Sequence, residues 1–140
     1  MAEFTAAAVQ TVAPNGNVLL TETPVCGGKC ITHRDGAGVV TLRGLTSQCK
    51  ARYRVLFGGN IAVPTGGTAE AISLAIAVQG EPLASTAMIE TPAAVNAYGN
   101  VGASVFIDVP QGCCVTVSVV NTSTQAVLVA NANVIAERVA

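Results

Sequence analysis

Hydrophobic and polar positions alternate along much of this chain with a period of two. Ile72, Leu74, Ile76 and Val78 alternate with Ala71, Ser73, Ala75 and Ala77, and Val115, Val117 and Val119 alternate with Cys114, Thr116 and Ser118. Successive side chains of a strand point to opposite faces, so these rows predict β-strands with one face in a core and the other outside it. The outside row is small and uncharged where a free-standing strand would carry Lys and Glu. A flat, neutral face of this kind suits a surface covered by copies of the same chain.

From Cys49 onward, strands are expected near residues 50–57, 60–64, 70–79, 83–90, 100–109, 113–120 and 125–139, the last with a break. The expected separators are Gly58-Gly59-Asn60, Pro64-Thr65-Gly66-Gly67, Gln79-Gly80-Glu81-Pro82, Thr91-Pro92, Tyr98-Gly99-Asn100, Pro110-Gln111-Gly112 and Asn121-Thr122-Ser123. Each places Gly, Pro or Asn where a strand stops. A helix over Ala69 to Val78 is the local rival, but the alternation and the following Gly80 argue against it.

The first 48 residues read differently. One strand is expected over Phe4 to Val12, a turn at Ala13-Pro14-Asn15-Gly16-Asn17 and a second strand over Val18 to Thr21. A glycine-rich loop, Cys26 to Gly36, then leads to a strand over Gly38 to Leu42. The expected architecture is all-β: an antiparallel β-sandwich jelly roll spanning 49–140, with an extended N-terminal arm over 1–48.

Composition sharpens this picture. Charged residues make up 11% of the 140 positions and aromatics 4%, with no Trp, while hydrophobic residues reach 51%. The apolar mass is therefore mostly Ala and Val. A net charge of −1 gives no electrostatic ground for binding nucleic acid or an anionic membrane. No apolar run approaches the roughly 20 residues of a membrane span. Met1-Ala2-Glu3-Phe4 lacks the basic and apolar regions of a secretory signal, so synthesis in a cytoplasm is expected.

The order of segments in the body resembles the trimeric jelly roll of tumour-necrosis-factor-like and complement-like domains, closest to its bacterial exosporium and phage versions. The matching segments are Ala51 to Phe57, Ile72 to Gly80, Ser104 to Gly112, Val115 to Asn121 and Ala132 to Val139. The resemblance implies an inward Tyr on the first segment, a Gly-containing turn after the second, and a homotrimer. The chain differs from those domains in having no collagen-like repeat upstream and in carrying cysteines in its first 48 residues.

Candidate chemistry is sparse. Five cysteines, Cys26, Cys30, Cys49, Cys113 and Cys114, cannot all pair within one chain. They can be reduced and buried, or form cross-links between subunits, or contribute to a zinc set of Cys26, Cys30, His33 and Cys49. His33 is the only histidine and is expected in a solvated loop, with a Cys–His nucleophilic pair as the rival reading. The carboxylates are scattered, so paired-carboxylate chemistry has no basis, and neither Gly58-Gly59 nor Gly66-Gly67 has phosphate-loop spacing. Arg34, Arg43, Arg52 and Arg54 form a basic region suited to docking an acidic partner, and Tyr98 is the candidate for a ligand loop.

The expected function is structural and non-enzymatic, without cofactor or metal: a homotrimer decorating or stabilising a phage capsid, partnered by itself and a capsid shell. The expected location is a virion. Two alternatives stand beside it: a disulfide-linked filament on a spore or cell surface, and a jelly-roll module that binds a glycan or receptor.

Overall fold

A computed structural model describes residues 1–25, 30–45 and 47–140. The chain is an all-β antiparallel sandwich. Its strands are β1 (Ala2–Ala6), β2 (Gln10–Val12), β3 (Glu22–Val25), β4 (Ile31–His33), β5 (Val40–Arg43), β6 (Lys50–Ala62), β7 (Ile72–Val78), β8 (Glu81–Pro82), β9 (Met88–Glu90), β10 (Gly99–Pro110), β11 (Cys114–Asn121) and β12 (Val127–Arg138). The first sheet runs β10-β6-β12-β1-β3, with β2 also paired to β12. The second runs β4-β5-β11-β7-β8, with β9 also paired to β7. Inward rows of both sheets form one core that includes Phe4, Leu42, Tyr53, Phe57, Ile61, Ile72, Leu74 and Ile76. Among the described residues, no helix is long and apolar enough to cross a membrane.

The segment expected to be an arm is woven into both sheets. β1 lies between β12 and β3 in the first sheet, and β5 pairs with β11 in the second. Phe4, Val18, Leu20, Ile31 and Val40 join the same core as the body. These apolar side chains account for the docking: left on a free arm they would stay in water, whereas here they fill the sandwich. The expected strand over Val18 to Thr21 is a single bridge, Asn17 to Val120, although Val18 and Leu20 are buried.

Three boundaries move for identifiable reasons. Gly58-Gly59-Asn60, read as a separator, lies inside β6. Opposite it, β12 carries one extra residue between Ala130 and Asn133, with Asn131 at φ 55°. That bulge divides β12 into a part pairing β2 and a part pairing β1, so the expected strand over Phe4 to Val12 is split as well. The expected strand over 83–90 is β8, a 3₁₀ turn at Ala84–Thr86 and β9.

The outside row of β7 is not a free surface. Ala75 and Ala77 are 2% and 0% exposed within the single chain. The connection from β8 to β9 folds back along β7, where the Thr86 hydroxyl accepts from the Ile76 N–H at 2.9 Å. It fills the ladder position left between the two short strands.

Candidate functional site

With the small row of β7 covered, the surface of interest is the outer face of the first sheet. Tyr53 and Val55 point inward on β6, which sets Arg52, Arg54, Leu56 and Gly58 outward. Register then places Asp108, Phe106, Ser104 and Gly102 of β10 opposite those four. On the other side Glu137, Ile135 and Asn133 of β12 stand opposite Arg54, Leu56 and Gly58.

On the edge strand β10 stands an apolar knob. Phe106 is 63% exposed, with Leu56 and Ile135 half-buried beside it. The charges around it are paired within the chain, with one positive charge in excess. Arg52 donates from Nε to Asp108 Oδ1 at 2.8 Å and from its terminal nitrogen to Oδ2 at 3.2 Å. Lys50 Nζ lies 3.4 Å from Asp108 Oδ2, and Arg54 pairs with Glu137. The bond from Arg52 is the main cause that lowers the Asp108 pKa to about 2, and the same bond raises the Arg52 pKa.

Two outward-facing pairs along the sheet from Phe106 the surface is bare, because Gly58 faces Gly102 across the β6–β10 ladder. The neighbouring Gly59 has a reason inside the chain: a Cβ there would stand 3.2 Å from the Phe57 ring. Gly58 has no such reason, since a Cβ there meets nothing within 4 Å. Glycine inside a strand costs about 0.5–1 kcal/mol relative to Ala. A mid-strand glycine marks a bulge or a place where another backbone or side chain comes close; the β12 bulge lies next to Gly58, and the space above Gly58 is open to a neighbour.

The residues expected from sequence are distributed otherwise. Arg52 and Arg54 share a face, but both guanidiniums are committed to carboxylates of the same chain. Arg34 follows β4 and Arg43 ends β5 in the second sheet, so the four arginines do not form one docking surface. His33 is not solvated; its side chain is fully buried against the Phe4 ring, 4.7 Å away between centroids. Its Nε2 donates to the Ala37 carbonyl at 2.8 Å, while Nδ1 lacks a hydrogen-bond partner and lies 3.8 Å from Asp35 Oδ1. Burial follows from β4 pairing with β5, which draws the ring under the sheet.

Cys26 of the zinc set lies outside the described residues. Among those described, no three His, Cys, Asp or Glu side chains gather to hold a metal, so Cys30, His33 and Cys49 are not a ligand set. Tyr98 is 46% exposed and borders an open depression of ≈ 420 Å³ with Val9, Asn60 and Asn131. Asn121-Thr122-Ser123 has the spacing of a glycosylation acceptor, but Asn121 is fully buried and its Nδ2 donates to the Val12 and Gln125 carbonyls at 3.0 and 2.9 Å. Phe106 and Gly58 were not singled out from sequence. The parity set by inward Tyr53 was enough to place Leu56 and Gly58 outside, but the run Val105-Phe106-Ile107 hides which of its residues faces out.

No protein-family model matches the sequence, and no curated protein matches it. Solved structures do match in fold. The globular domain of zebrafish complement 1qA superposes with a TM-score of 0.62 at 8% identity, covering 95% of this chain and 92% of that one. Murine APRIL superposes with a TM-score of 0.55 at 12% identity, covering 95% and 97%. The chain thus has the jelly roll of complement C1q globular domains and tumour-necrosis-factor-family proteins.

Proposed function

We propose that this chain is a non-enzymatic structural protein that assembles with copies of itself, as a homotrimer, through the outer face of the β10-β6-β12-β1-β3 sheet. The observation that carries the reading is the pairing of an exposed knob, Phe106, with a bare floor at Gly58 and Gly102 on one face. A knob and a hollow at different places on one surface suit a head-to-tail contact that closes by rotation. The surroundings resemble an interface hot spot: an aromatic anchor with an apolar centre and a rim of satisfied ion pairs. Because every charge named on this face has a partner within the chain, leaving an excess of one positive charge, the face offers little attraction to a strongly charged partner and suits a second copy.

The setting we infer is the surface of a virion, with a capsid shell as the further partner. That inference rests on the resemblance of the sequence to phage and exosporium versions of the fold. Sedimentation of the reduced chain over a range of concentrations tests the assembly. A closed trimer is expected, and a mass of one chain at all concentrations contradicts it.

A second reading is favoured by the surface around Tyr98. An exposed ring beside the amides of Asn60 and Asn131, with Val9 57% exposed, offers a stacking face and neutral hydrogen-bonding groups of the kind a sugar uses. Titration with neutral oligosaccharides, comparing the wild type with Tyr98→Ala, decides it. Binding lost in the variant supports a glycan module, and no binding by either chain removes that reading.

A further inference from the structure

The structure gathers cysteines that are far apart in sequence at one pole of the sandwich. Cys49 precedes β6, Cys113 precedes β11 and Cys114 opens it, and all three are exposed. Backbone bonds tie their segments together. The Gln111 N–H donates to the Cys49 carbonyl at 2.9 Å, Cys113 N–H donates to Pro110 at 3.1 Å, and Gly44 N–H donates to Cys113 at 2.9 Å. Cys114 stands opposite Arg43, whose N–H donates to the carbonyl of half-buried Cys30 at 2.8 Å. Four described cysteines therefore share one rim as free thiols.

Cysteine is among the most buried residue types, so three exposed thiols on one end of an apolar chain need a reason. A metal is not that reason, because no three metal-binding side chains converge among the described residues. A bridge between Cys113 and Cys114 is not favoured either, since neighbouring Cα atoms lie about 3.8 Å apart, short of the roughly 4.4–6.8 Å that a disulfide normally spans. As exposed free thiols, all three are open to another molecule.

We propose that this pole is an oxidative cross-linking surface between copies of the chain, formed by Cys49, Cys113 and Cys114. The proposal rests on assembly through the first sheet's outer face: that face ends at this rim, where Lys50 pairs with Pro110. Copies packed side by side through it bring their poles together. The oxidant is a small-molecule disulfide such as oxidised glutathione. A protein thiolate attacks one of its sulfurs, forming a mixed disulfide and releasing one glutathione thiolate. A thiolate of a second copy then attacks the protein sulfur of that mixed disulfide and releases the second glutathione. Two protein thiols and one small disulfide give one intersubunit disulfide and two small thiols. With three exposed thiols per chain, linkage extends beyond pairs.

The test uses the full chain treated with oxidised glutathione, then non-reducing electrophoresis and mass spectrometry of the linked peptides. Covalent species at multiples of the 14.0 kDa chain mass are expected, reversed by reductant. They should fall at least tenfold in the triple variant Cys49→Ser, Cys113→Ser, Cys114→Ser and persist in Cys26→Ser, Cys30→Ser. Because all three positions are exposed, the triple variant keeps the fold, which far-ultraviolet circular dichroism checks. Wild type that yields only monomeric glutathione adducts overturns the proposal, and so do cross-links that survive in the triple variant. Light scattering of the reduced chain reads assembly separately: an assembled chain that does not cross-link sinks only this inference, and a monomer sinks the assembly it rests on.

Discussion

Gly58 and Gly102 stand directly opposite one another on β6 and β10, leaving a stretch of the outer face without side chains two outward-facing pairs from Phe106. Nothing in the chain occupies the space above Gly58. Gly58→Leu is therefore expected to fold with an unchanged circular dichroism spectrum while its sedimentation shifts to a single chain. If Gly58→Leu assembles as well as wild type, the floor is not part of the contact.

Phe106 supplies the other half of that relationship. Truncation of a central aromatic anchor typically costs about 2 kcal/mol or more of association free energy, which is roughly 30-fold in affinity. Phe106→Ala is expected to weaken assembly by at least that factor without lowering the stability of the isolated chain, because its ring is mostly in water there. Concentration-dependent light scattering measures the first effect and denaturation of the dilute protein the second.

The Arg52–Asp108 pair predicts a pH dependence with a definite sign. Asp108 ionises at about 2 in the folded chain, below its usual 3.8, so between those values the unfolded chain binds the extra proton. Stability therefore rises with pH through that window, is fully present above pH 4 and is lost as pH falls toward 2. Urea titrations at pH 2, 3, 4 and 5 should show this slope in wild type and a shallower one in Asp108→Asn. Equal slopes in the two proteins would show that the pair does not report on folding.

Tyr53 ties the sheets together by donating from its buried hydroxyl to the Arg43 carbonyl at 2.6 Å. Burial raises its pKa above the usual 10. Tyr53→Phe keeps the ring and removes the bond, for an expected loss of about 1–2 kcal/mol. Chemical denaturation measures it, and no change in stability would mean that water replaces the hydroxyl.

Asn121 is the buried hub of the opposite end. Its Nδ2 faces two carbonyls, and its Oδ1 accepts the Ser123 N–H at 2.9 Å. Asn121→Asp sets a carboxylate oxygen against the Val12 and Gln125 carbonyls, at a cost of about 3 kcal/mol or more. A melting temperature lowered by roughly 10 °C is expected, with Asn121→Gln no substitute, because its longer chain overfills the site.

How much of this was legible in the sequence depends on what each residue reports. Alternation along β7, β10, β11 and β12 marks those strands, and Tyr53 faces inward as the resemblance implies. Turn chemistry at Gln79-Gly80 is equally readable, both residues having positive φ. The pairing of β1 with β12 was not, because it joins segments some 130 residues apart and the short apolar row Phe4, Ala6 fits an arm as well as a strand. Gly58-Gly59 read as a break because glycine usually ends strands, whereas here Gly59 makes room for Phe57. Ala75 and Ala77 read as outer residues because small side chains fit an external copy or a returning segment of the same chain equally well. The thiol pole was hidden for the same reason as β1: only the folded chain brings Cys49 beside the Pro110–Cys113 turn.

The claim that copies meet through the first sheet is tested most directly by hydroxyl-radical footprinting of Phe106 against Ile89, with native mass recorded on the same reduced sample. The two are 63% and 67% exposed in the single chain, and Ile89 lies on β9, paired in the other sheet. Each rate is normalised to that residue in the unfolded protein. At a concentration where the mass is three times 14.0 kDa, Phe106 should be protected at least fivefold while Ile89 stays reactive. Equal normalised rates for the two residues in the assembled protein would contradict the interface, and a mass of one chain would contradict the assembly.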